Sequence, residues 1–476
     1  MNQDREAAGG VALDDRAARH AQTQYEDAER YVLGLISGPA SPPADTPKDE
    51  VRRRATERLD RLRAFLEFLG NPQRQYKTIH IGGTSGKGST TQFVASILTA
   101  AGYRTGAHVS PYLQVATEKL QIDGRIASAA RYAELVATMR AKVEQWVALG
   151  HEQPKYGELW VAMTFVYFAQ ESVDYGVIEV GAGGRFDLTN VIEPEVAAIT
   201  SVGLDHTVTL GSTIPEIAWH KAGILKPGAA ALTSVDDHAA LQVIQDEAHA
   251  VGVELQTIQF DDSYREVRTG PRGTTFIDTA SGGTFSVPLP GTFQAANGAL
   301  AAAIARALPE GAIEDAVIQR GFDATRFPGR MEIVQSDPLV LLDGAHNPQK
   351  IAGLAKNLAL LFPERRIIGV FGVLESKNHV EMLGELTPYL SALVATAPKV
   401  YAKPPVSAAQ VAEEARGRLE VVEAFDEPLE ALQRALELAG PSDVVLVTGS
   451  LYLIGNVREH WYPTGKILAQ GTMWPD

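Results

Sequence analysis

The chain of 476 residues contains no cysteine. This absence excludes disulfide bonds, thiolate zinc sites and a cysteine nucleophile, and it fits a reducing compartment. The chain also has no apolar stretch of about 18 residues, the length that a membrane span requires, and Met1 to Arg30 is polar and mixed in charge. The pattern therefore predicts neither a membrane span nor a signal peptide. We expect a cytoplasmic protein with no membrane partner.

Basic residues are fewer than acidic residues in this chain. The chain has 58 acidic and 43 basic residues, which gives a formal net charge of −15 and argues against a nucleic acid partner. A local basic site for an anionic substrate is still compatible with this balance. The first 20 residues carry few large apolar side chains, and we expect them to be disordered. No feature indicates a subunit interface, so we expect a monomer.

Short apolar runs alternate with helical segments along most of the chain. This alternation predicts an α/β fold with mostly parallel sheets covered on both faces. Ligands bind at the carboxyl ends of the strands in such sheets. The predicted strands include Thr78–Gly82, Tyr175–Val180, Val196–Val202, Leu339–Leu342, Arg366–Phe371, Leu393–Thr396 and Val444–Val447.

The length exceeds what one hydrophobic core supports, so two domains are expected. We place their boundary near Arg326. A P-loop-type mononucleotide-binding domain would span 1–326, and a smaller Rossmann-like α/β domain would span 327–476. Other expected features of the first domain are a loop at Pro39–Pro47, a helix over Leu59–Leu69 at the sheet edge, antiparallel hairpins between Leu255 and Pro290, and an alanine-rich helix over Ala295–Leu308.

A glycine-rich loop lies between an apolar run and a helix-like run: Gly83, Thr84, Ser85, Gly86, Lys87, Gly88 and Ser89. Free backbone N–H groups, the dipole of the next helix and one lysine favour a polyanion such as the phosphates of ATP. A turn that only joins a strand to a helix is the alternative. The strict pattern fails twice, because Ile81 takes the first glycine position and Gly88 lacks the usual hydroxyl. A magnesium ligand must therefore partly come from elsewhere.

Two further predicted strands end in polar side chains. Glu179 closes one of them and precedes a glycine-rich segment. A carboxylate in this position typically holds magnesium beside a nucleotide. Asp205 and His206 close the other strand, where a second magnesium ion or the transferring phosphoryl group would fit. The alternatives are a glutamate that caps a turn and a structural histidine.

The second half of the chain repeats this pattern. Arg330 precedes a predicted strand, and Asp343, His346 and Asn347 follow it. An arginine from a second domain would stabilise charge on a transferred phosphoryl group, although a surface arginine and a helix cap are the alternative. Composition alone suggests that Lys221 is a solvated surface charge. Together these residues predict ATP in a cleft between two α/β domains.

The motifs form an ordered series: Gly83-Thr84-x-Gly86-Lys87-Gly88-Ser89, Ser110-Pro111-x-Leu113, Glu118-Lys119-Leu120, Asp123-Gly124, Glu179-Val180-Gly181-x-Gly183-Gly184-Arg185-x-Asp187-x-Thr189-Asn190, Gly203-Leu204-Asp205-His206, Lys221-Ala222-Gly223-Ile224-x-Lys226-Pro227-Gly228, Pro328-Gly329-Arg330, Asp343-Gly344-Ala345-His346-Asn347-Pro348 and Thr448-Gly449-Ser450-Leu451-Tyr452. This series resembles the folylpolyglutamate synthases and dihydrofolate synthases of the Mur ligase superfamily. The resemblance extends from about Arg63 to Arg458.

The resemblance implies an ATP-dependent carboxylate–amine ligase that uses L-glutamate and a folate or pteroate substrate. ATP would phosphorylate the substrate carboxylate, and the glutamate amine would then attack the acyl phosphate. By this resemblance, Lys87, His206, Lys221 and Arg330 are catalytic. Gly83 to Ser89, Gln294, Asn297, Arg330, Asp343 and His346 bind the nucleotide; Ser110, Glu179, His206 and Lys221 bind two magnesium ions; and Tyr112, Glu158 and Asp187 contact the substrate.

Lys221 matches a lysine that is carbamylated in the family that the chain resembles. Carbamylation turns that lysine into a carboxylate-like metal ligand. The chain departs from the family pattern mainly on the pterin or folate side, at Ser85, Tyr112, Lys119, Lys155 to Gly157, Leu188 and Phe293. Two other functions remain open. One is a Mur-type ligase for a different acceptor, such as a cell-wall precursor. The other is a non-catalytic nucleotide-binding module, which would not need the residues of the second domain.

Overall fold

A computed structural model of the protein describes residues 21–36 and 46–476. The expected disorder of residues 1–20 and most of the loop at Pro39–Pro47 lie outside the described residues. Within the described part of the chain, no helix has the length and apolar character needed to cross a bilayer.

The first domain is built on an eight-stranded sheet. Its order is β4-β3-β2-β5-β1-β6-β7-β8. The ladder from β2 to β8 is parallel, and β3 and β4 pair antiparallel at one edge. The strands are β1 Lys77–Gly82, β2 Thr105–His108, β3 Gln121–Ile122, β4 Arg125–Ile126, β5 Tyr175–Glu179, β6 Val196–Ile199, β7 Ala230–Thr233 and β8 Leu255–Thr257.

Helices cover both faces of this sheet, as its apolar strands require. The helices of the first domain are α1 (21–33), α2 Lys48–Phe68, α3 Lys87–Ala100, α4 Ala129–Ala148, α5 Tyr156–Gln170, α6 Thr207–Leu210, α7 Ile214–Ala222, α8 His238–Ala250, α9 Phe293–Arg306 and α10 Asp315–Ala324. One hydrophobic core includes residues of α4 and α5, and a second hydrophobic core includes residues of α3, α9 and α10. The helix expected at the sheet edge is longer than predicted, and it packs mainly on α5 and the turn at Leu188–Val191.

The expected hairpin region forms a separate three-stranded antiparallel sheet of β9 Tyr264–Gly270, β10 Gly273–Asp278 and β11 Thr284–Val287. The prediction was wrong at its start, because residues 255–257 form β8 and pair parallel with β7. Their pairing with β7 extends the large sheet by one strand. The alanine-rich helix is α9, and its seven alanines and one glycine are small enough to let it pack closely on α3.

The second domain has a six-stranded sheet in the order β12-β13-β17-β14-β15-β16. Only β12 is antiparallel to its neighbour. The strands are β12 Glu332–Ser336, β13 Leu339–Leu342, β14 Ile367–Phe371, β15 Ala392–Ala395, β16 Val422–Ala424 and β17 Val444–Thr448, and the helices are α11 Pro348–Leu361, α12 His379–Leu386, α13 Ala408–Arg416, α14 Pro428–Leu438, α15 Leu451–Arg458 and α16 Thr464–Gln470. The predicted two-domain α/β fold is confirmed.

The C-terminal segment returns to the first domain. Ile467, Leu468 and Met473 are buried in the same core as α4 and α5. Arg125 also donates a hydrogen bond to the carbonyl of Gln470 at 2.8 Å. The periodicity of the sequence did not indicate that the C-terminal segment packs on the first domain. The domain boundary at residues 326 and 327 stays a proposal.

Arg458 joins the two domains at a buried point. It is 1% exposed and pairs with Glu332 at 3.0 Å. It also donates to Gln114 Oε1 at 2.6 Å and to the Met473 carbonyl at 2.8 Å. One guanidinium therefore links residues that lie far apart along the chain.

We expect Arg458→Ala to lower the free energy of unfolding by about 3–5 kcal/mol, because it leaves the Glu332 carboxylate buried and unpaired. Denaturant unfolding followed by circular dichroism measures this loss. Arg434→Ala is the control, because Arg434 pairs with Glu423 at an exposed site and should cost at most about 1 kcal/mol. Equal losses for the two variants would contradict a linking role for Arg458.

Candidate active site

The glycine-rich loop connects β1 to α3 at the carboxyl edge of the large sheet. Gly83 has a φ of +143° and Gly86 a φ of +86°, and other residues rarely adopt these values. A Cβ atom at Gly83 would overlap Thr200 Oγ1, and one at Gly86 would overlap Asn297 Oδ1. Both glycines are therefore required by backbone conformation and by close contacts.

The segment after β6 holds the loop in place. The N–H of Thr84 donates to the Ser201 carbonyl at 2.8 Å, and the N–H of Ser85 donates to Ser201 Oγ at 2.9 Å. Thr84 Oγ1 donates to the Gly203 carbonyl at 3.1 Å. Neighbouring residues in the sequence do not reveal this anchoring role, because it depends on the pairing of β1 with β6.

Lys87 and two amides of α9 lie at the loop. Lys87 Nζ donates to the Gly83 carbonyl at 3.1 Å, so its ammonium group lies over the loop. Asn297 Nδ2 donates to Gln294 Oε1 at 2.8 Å, and Gln294 Nε2 lies 3.5 Å from Ser89 Oγ. The structure thus brings the predicted nucleotide residues of α9 together with the loop.

The first predicted magnesium ligands are adjacent. The N–H of Ser110 donates to Glu179 Oε2 at 3.0 Å, and Glu179 is 5% exposed. Burial raises the pKa of Glu179, while Lys87 and Arg330 oppose that increase. The charges of a lysine of the first domain and an arginine of the second therefore both act on this carboxylate.

The other two predicted ligands, His206 and Lys221, share Lys87 as a charged neighbour. The side chain of His206 is exposed, and its backbone has a left-handed φ of 51°. Lys221 is 2% exposed, at the end of α7. No group of three His, Asp or Glu side chains among residues 21–36 and 46–476 is placed to hold a metal ion. Mg²⁺ needs only one or two carboxylates in addition to phosphates and water, and the buried carboxylate of Glu179 beside the Ser110 backbone is compatible with such a site.

Lys221 is not the solvated surface charge that composition suggested. Burial, together with the nearby charge of Lys87, lowers the pKa of Lys221 to about 7. Asp205 and Asp187 partly oppose this decrease. The position of the lysine is visible only in the tertiary structure, because α7 turns its last residues toward the loop.

The second domain contributes a positive and a negative group. Arg330 lies 4.9 Å from the centroid of the Phe327 ring, and its charge interacts with Glu179 and Asp343. Asp343 accepts hydrogen bonds from the N–H groups of Met331 and Ala345 at 3.0 Å and 2.9 Å. This carboxylate therefore shapes the loop from which Arg330 reaches the cleft.

Phe327 also explains why a glycine follows Lys87. A Cβ atom at Gly88 would lie 2.8 Å from the Phe327 ring and 3.5 Å from Glu179 Oε2. The hydroxyl that usually follows the lysine in a phosphate loop has no room here. The ring of Phe327 therefore packs directly against the start of α3.

We expect Gly88→Ser to lower the free energy of unfolding by about 1–3 kcal/mol, because the added side chain overpacks against the Phe327 ring. Denaturant unfolding followed by circular dichroism measures the effect. In a double-mutant cycle with Phe327→Ala, the second substitution should recover part of the loss. If the effects of the two substitutions simply add in the double variant, the Phe327 ring is not what excludes a side chain at position 88.

Tyr112 belongs to an aromatic box around Lys119. Lys119 Nζ lies 5.9, 5.8 and 4.7 Å from the ring centroids of Tyr112, Tyr156 and Trp160, in that order. Glu29 of α1 accepts hydrogen bonds from Tyr112 Oη at 3.1 Å and from Tyr132 Oη. Burial lowers the pKa of Lys119 to about 8. The sequence placed Lys119 in the motif series and among its departures but gave no signal for Glu29, which lies far away in the chain.

The other two predicted substrate residues have structural partners. Glu158 accepts hydrogen bonds from Arg61 at 2.9 Å and from the Lys155 N–H at 2.7 Å, so it caps α5. Asp187 accepts hydrogen bonds from the N–H groups of Ala182 and Thr189 at 2.9 Å and 3.0 Å. The structure does not bring Glu158 into the aromatic box, and it uses Asp187 to hold the glycine-rich segment after β5.

The chain matches two domain models of the Mur ligases. The Mur ligase middle domain matches residues 81–305, and the glutamate ligase domain of Mur ligases matches residues 329–451. The dihydrofolate synthase/folylpolyglutamate synthase of Bacillus subtilis is 32% identical over 92% of this chain and 99% of its own length. The chain belongs to the folylpolyglutamate synthase/dihydrofolate synthase family of Mur ligases.

Solved structures agree with this assignment. The folylpolyglutamate synthase of Mycobacterium tuberculosis, complexed with ADP and AMPPCP, superimposes with a TM-score of 0.77 at 31% identity and covers 85% of this chain and 95% of its own. A folylpolyglutamate synthase–AMPPCP–folate complex gives a TM-score of 0.76 at 31% identity, with coverages of 92% and 99%. This Mur ligase family member is therefore an ATP-dependent ligase, and the non-catalytic alternative no longer applies.

Proposed function

We propose that the enzyme joins the amino group of L-glutamate to a carboxylate of a folate, and that dihydropteroate is a second acceptor. The observation that carries the proposal is the meeting of the two domains at the phosphate loop. There Lys87 from one domain and Arg330 from the other both interact with the buried Glu179. A relative whose name includes both synthase activities and a similar structure complexed with folate support the choice of acceptors.

The chemistry takes two steps. A carboxylate oxygen of the acceptor attacks the γ-phosphorus of ATP, and ADP leaves. The glutamate amine then attacks the acyl carbon, loses a proton, and inorganic phosphate leaves as the amide forms. Lys87 and Arg330 balance negative charge on the phosphoryl group, because positive groups on opposite sides stabilise its transfer.

Magnesium belongs to the proposal. Glu179 and the Ser110 hydroxyl would hold one ion, and His206 with a carbamylated Lys221 would contribute to a second. The ion supplies charge neutralisation of the nucleotide phosphates when bound. The loop at Gly83–Ser89 binds those phosphates through its N–H groups and the start of α3. A monomer and a cytoplasmic location stay predictions.

The test is phosphate release from ATP with L-glutamate and one acceptor at a time. Dihydropteroate, a reduced folate and a cell-wall precursor are offered in turn, with and without glutamate. We expect glutamate-dependent release with the reduced folate and with dihydropteroate. Release with the cell-wall precursor alone would assign a different acceptor, and no glutamate-dependent release with either pterin substrate would overturn the folate assignment.

A further inference from the structure

Lys350 is a cation of the second domain that the ligase motifs do not include. It lies in the first turn of α11, and its own N–H donates to the Asn347 cap at 2.8 Å. A positive charge in the first turn of a helix is disfavoured by the helix dipole. Lys87 and Arg330 add further positive charge close to it. The position is therefore unfavourable unless an anion binds beside it.

No carboxylate in the described part of the chain lies within salt-bridge distance of Lys350. The nearby carboxylate of Asp205 instead has Lys377 Nζ at 3.7 Å. Burial and then the charge of Lys87 lower the pKa of Lys350 to about 7. A bound anion would favour the charged form of this lysine.

The hydrogen bonds of His346 fix the direction of Lys350. His346 Nδ1 lies 2.7 Å from the Gly344 carbonyl, which can only accept, so Nδ1 carries the proton. The other ring nitrogen, Nε2, then accepts from Lys350 Nζ at 3.2 Å. Both ring nitrogens of His346 are therefore in use. The group left to reach a phosphate is the ammonium of Lys350, which has two further protons to donate.

We propose that Lys350 is a catalytic residue that contacts the γ-phosphate of ATP from the second domain, opposite Lys87, and that His346 positions it. This inference rests on the proposed function of the same cleft. As the γ-phosphorus moves to the acceptor carboxylate, the ammonium of Lys350 stays with the transferred group. It therefore stabilises charge on both sides of the transfer.

The test compares two nucleotides that differ in the γ-phosphate. Calorimetric titration measures the affinity of the purified enzyme for ADP and for AMPPCP, in wild type and Lys350→Ala. We expect the variant to lose about tenfold in affinity for AMPPCP, as for one charge-assisted hydrogen bond, and to bind ADP as the wild type does. Lys356→Ala is the matched control, because Lys356 is an exposed residue of the same helix.

His346 is tested in the same assay. His346→Ala should weaken AMPPCP binding in the wild type but not in the Lys350→Ala background, because a positioning residue acts only through its partner. Lys350→Gln keeps most of the side-chain length without the charge, and it replaces the alanine variant if that variant melts at a lower temperature.

Equal affinity of wild type and Lys350 variants for AMPPCP would overturn the proposal, and so would an equal loss for ADP and AMPPCP. These outcomes do not depend on the acceptor. If the wild type binds AMPPCP but shows no glutamate-dependent turnover with any pterin substrate, the proposed function fails while the role of Lys350 is still tested.

Discussion

Lys87→Ala is expected to reduce ATP turnover by about 10³-fold, which corresponds to about 4 kcal/mol of transition-state stabilisation. The lysine donates to the Gly83 carbonyl within its own loop. Its ammonium is thus held over the backbone N–H groups that would bind phosphate. The alanine variant keeps the loop but removes a charge from the place where negative charge develops.

Phosphate release with L-glutamate and a reduced folate measures this loss. Lys48→Ala is the control, because Lys48 is 68% exposed on α2 and pairs with Glu216 at the surface. The two variants should have the same melting temperature. Retention of more than a tenth of the wild-type turnover number by Lys87→Ala would contradict the assignment of this lysine to the phosphates.

Lys221→Ala is expected to lose activity by about 10²-fold or more, as for removal of a group that stabilises a transition state, while the fold remains intact. Burial of Lys221 lowers its pKa, so the fold disfavours its charged form. Removing the side chain relieves this cost, and the melting temperature should not fall. A loss of activity without a loss of stability separates a functional lysine from a structural one.

Two further measurements test the carbamylated form. Lys221→Arg keeps a positive charge but cannot form a carbamate, so it should be as inactive as the alanine variant. Wild-type activity should also fall in buffer depleted of carbon dioxide and return when bicarbonate is added. Full activity of Lys221→Ala would exclude the role of this residue, and an active Lys221→Arg would show that only its positive charge matters.

The glycine-rich loop shows how far local pattern reaches. Residues that are neighbours in the chain show that the loop lies between a strand and a helix and that Gly88 has no hydroxyl. They do not show why the hydroxyl is absent, because the ring that fills its space belongs to Phe327. The same holds for the anchoring of the loop by Ser201, which depends on parallel pairing of β1 with β6.

The electrostatic character of the lysines could not be predicted. Lys221 and Lys350 lie on helices, where lysines are ordinarily solvated. Burial and the charge of Lys87 lower the pKa of both to about 7. These shifts arise from groups in two domains, and no window of the sequence contains those groups together.

The order of strands, loops and polar motifs along the chain was enough to predict ATP in a cleft between two α/β domains, because hydrophobic periodicity and turn residues act locally. The ligase activity was implied by the resemblance of the motif series to a known family. Tertiary structure decided which charges share the cleft, that Glu158 caps α5 instead of joining the aromatic box, and that the C-terminal residues pack on the first domain. These features depend on contacts between distant segments, and only the folded chain brings such segments within hydrogen-bonding and electrostatic range.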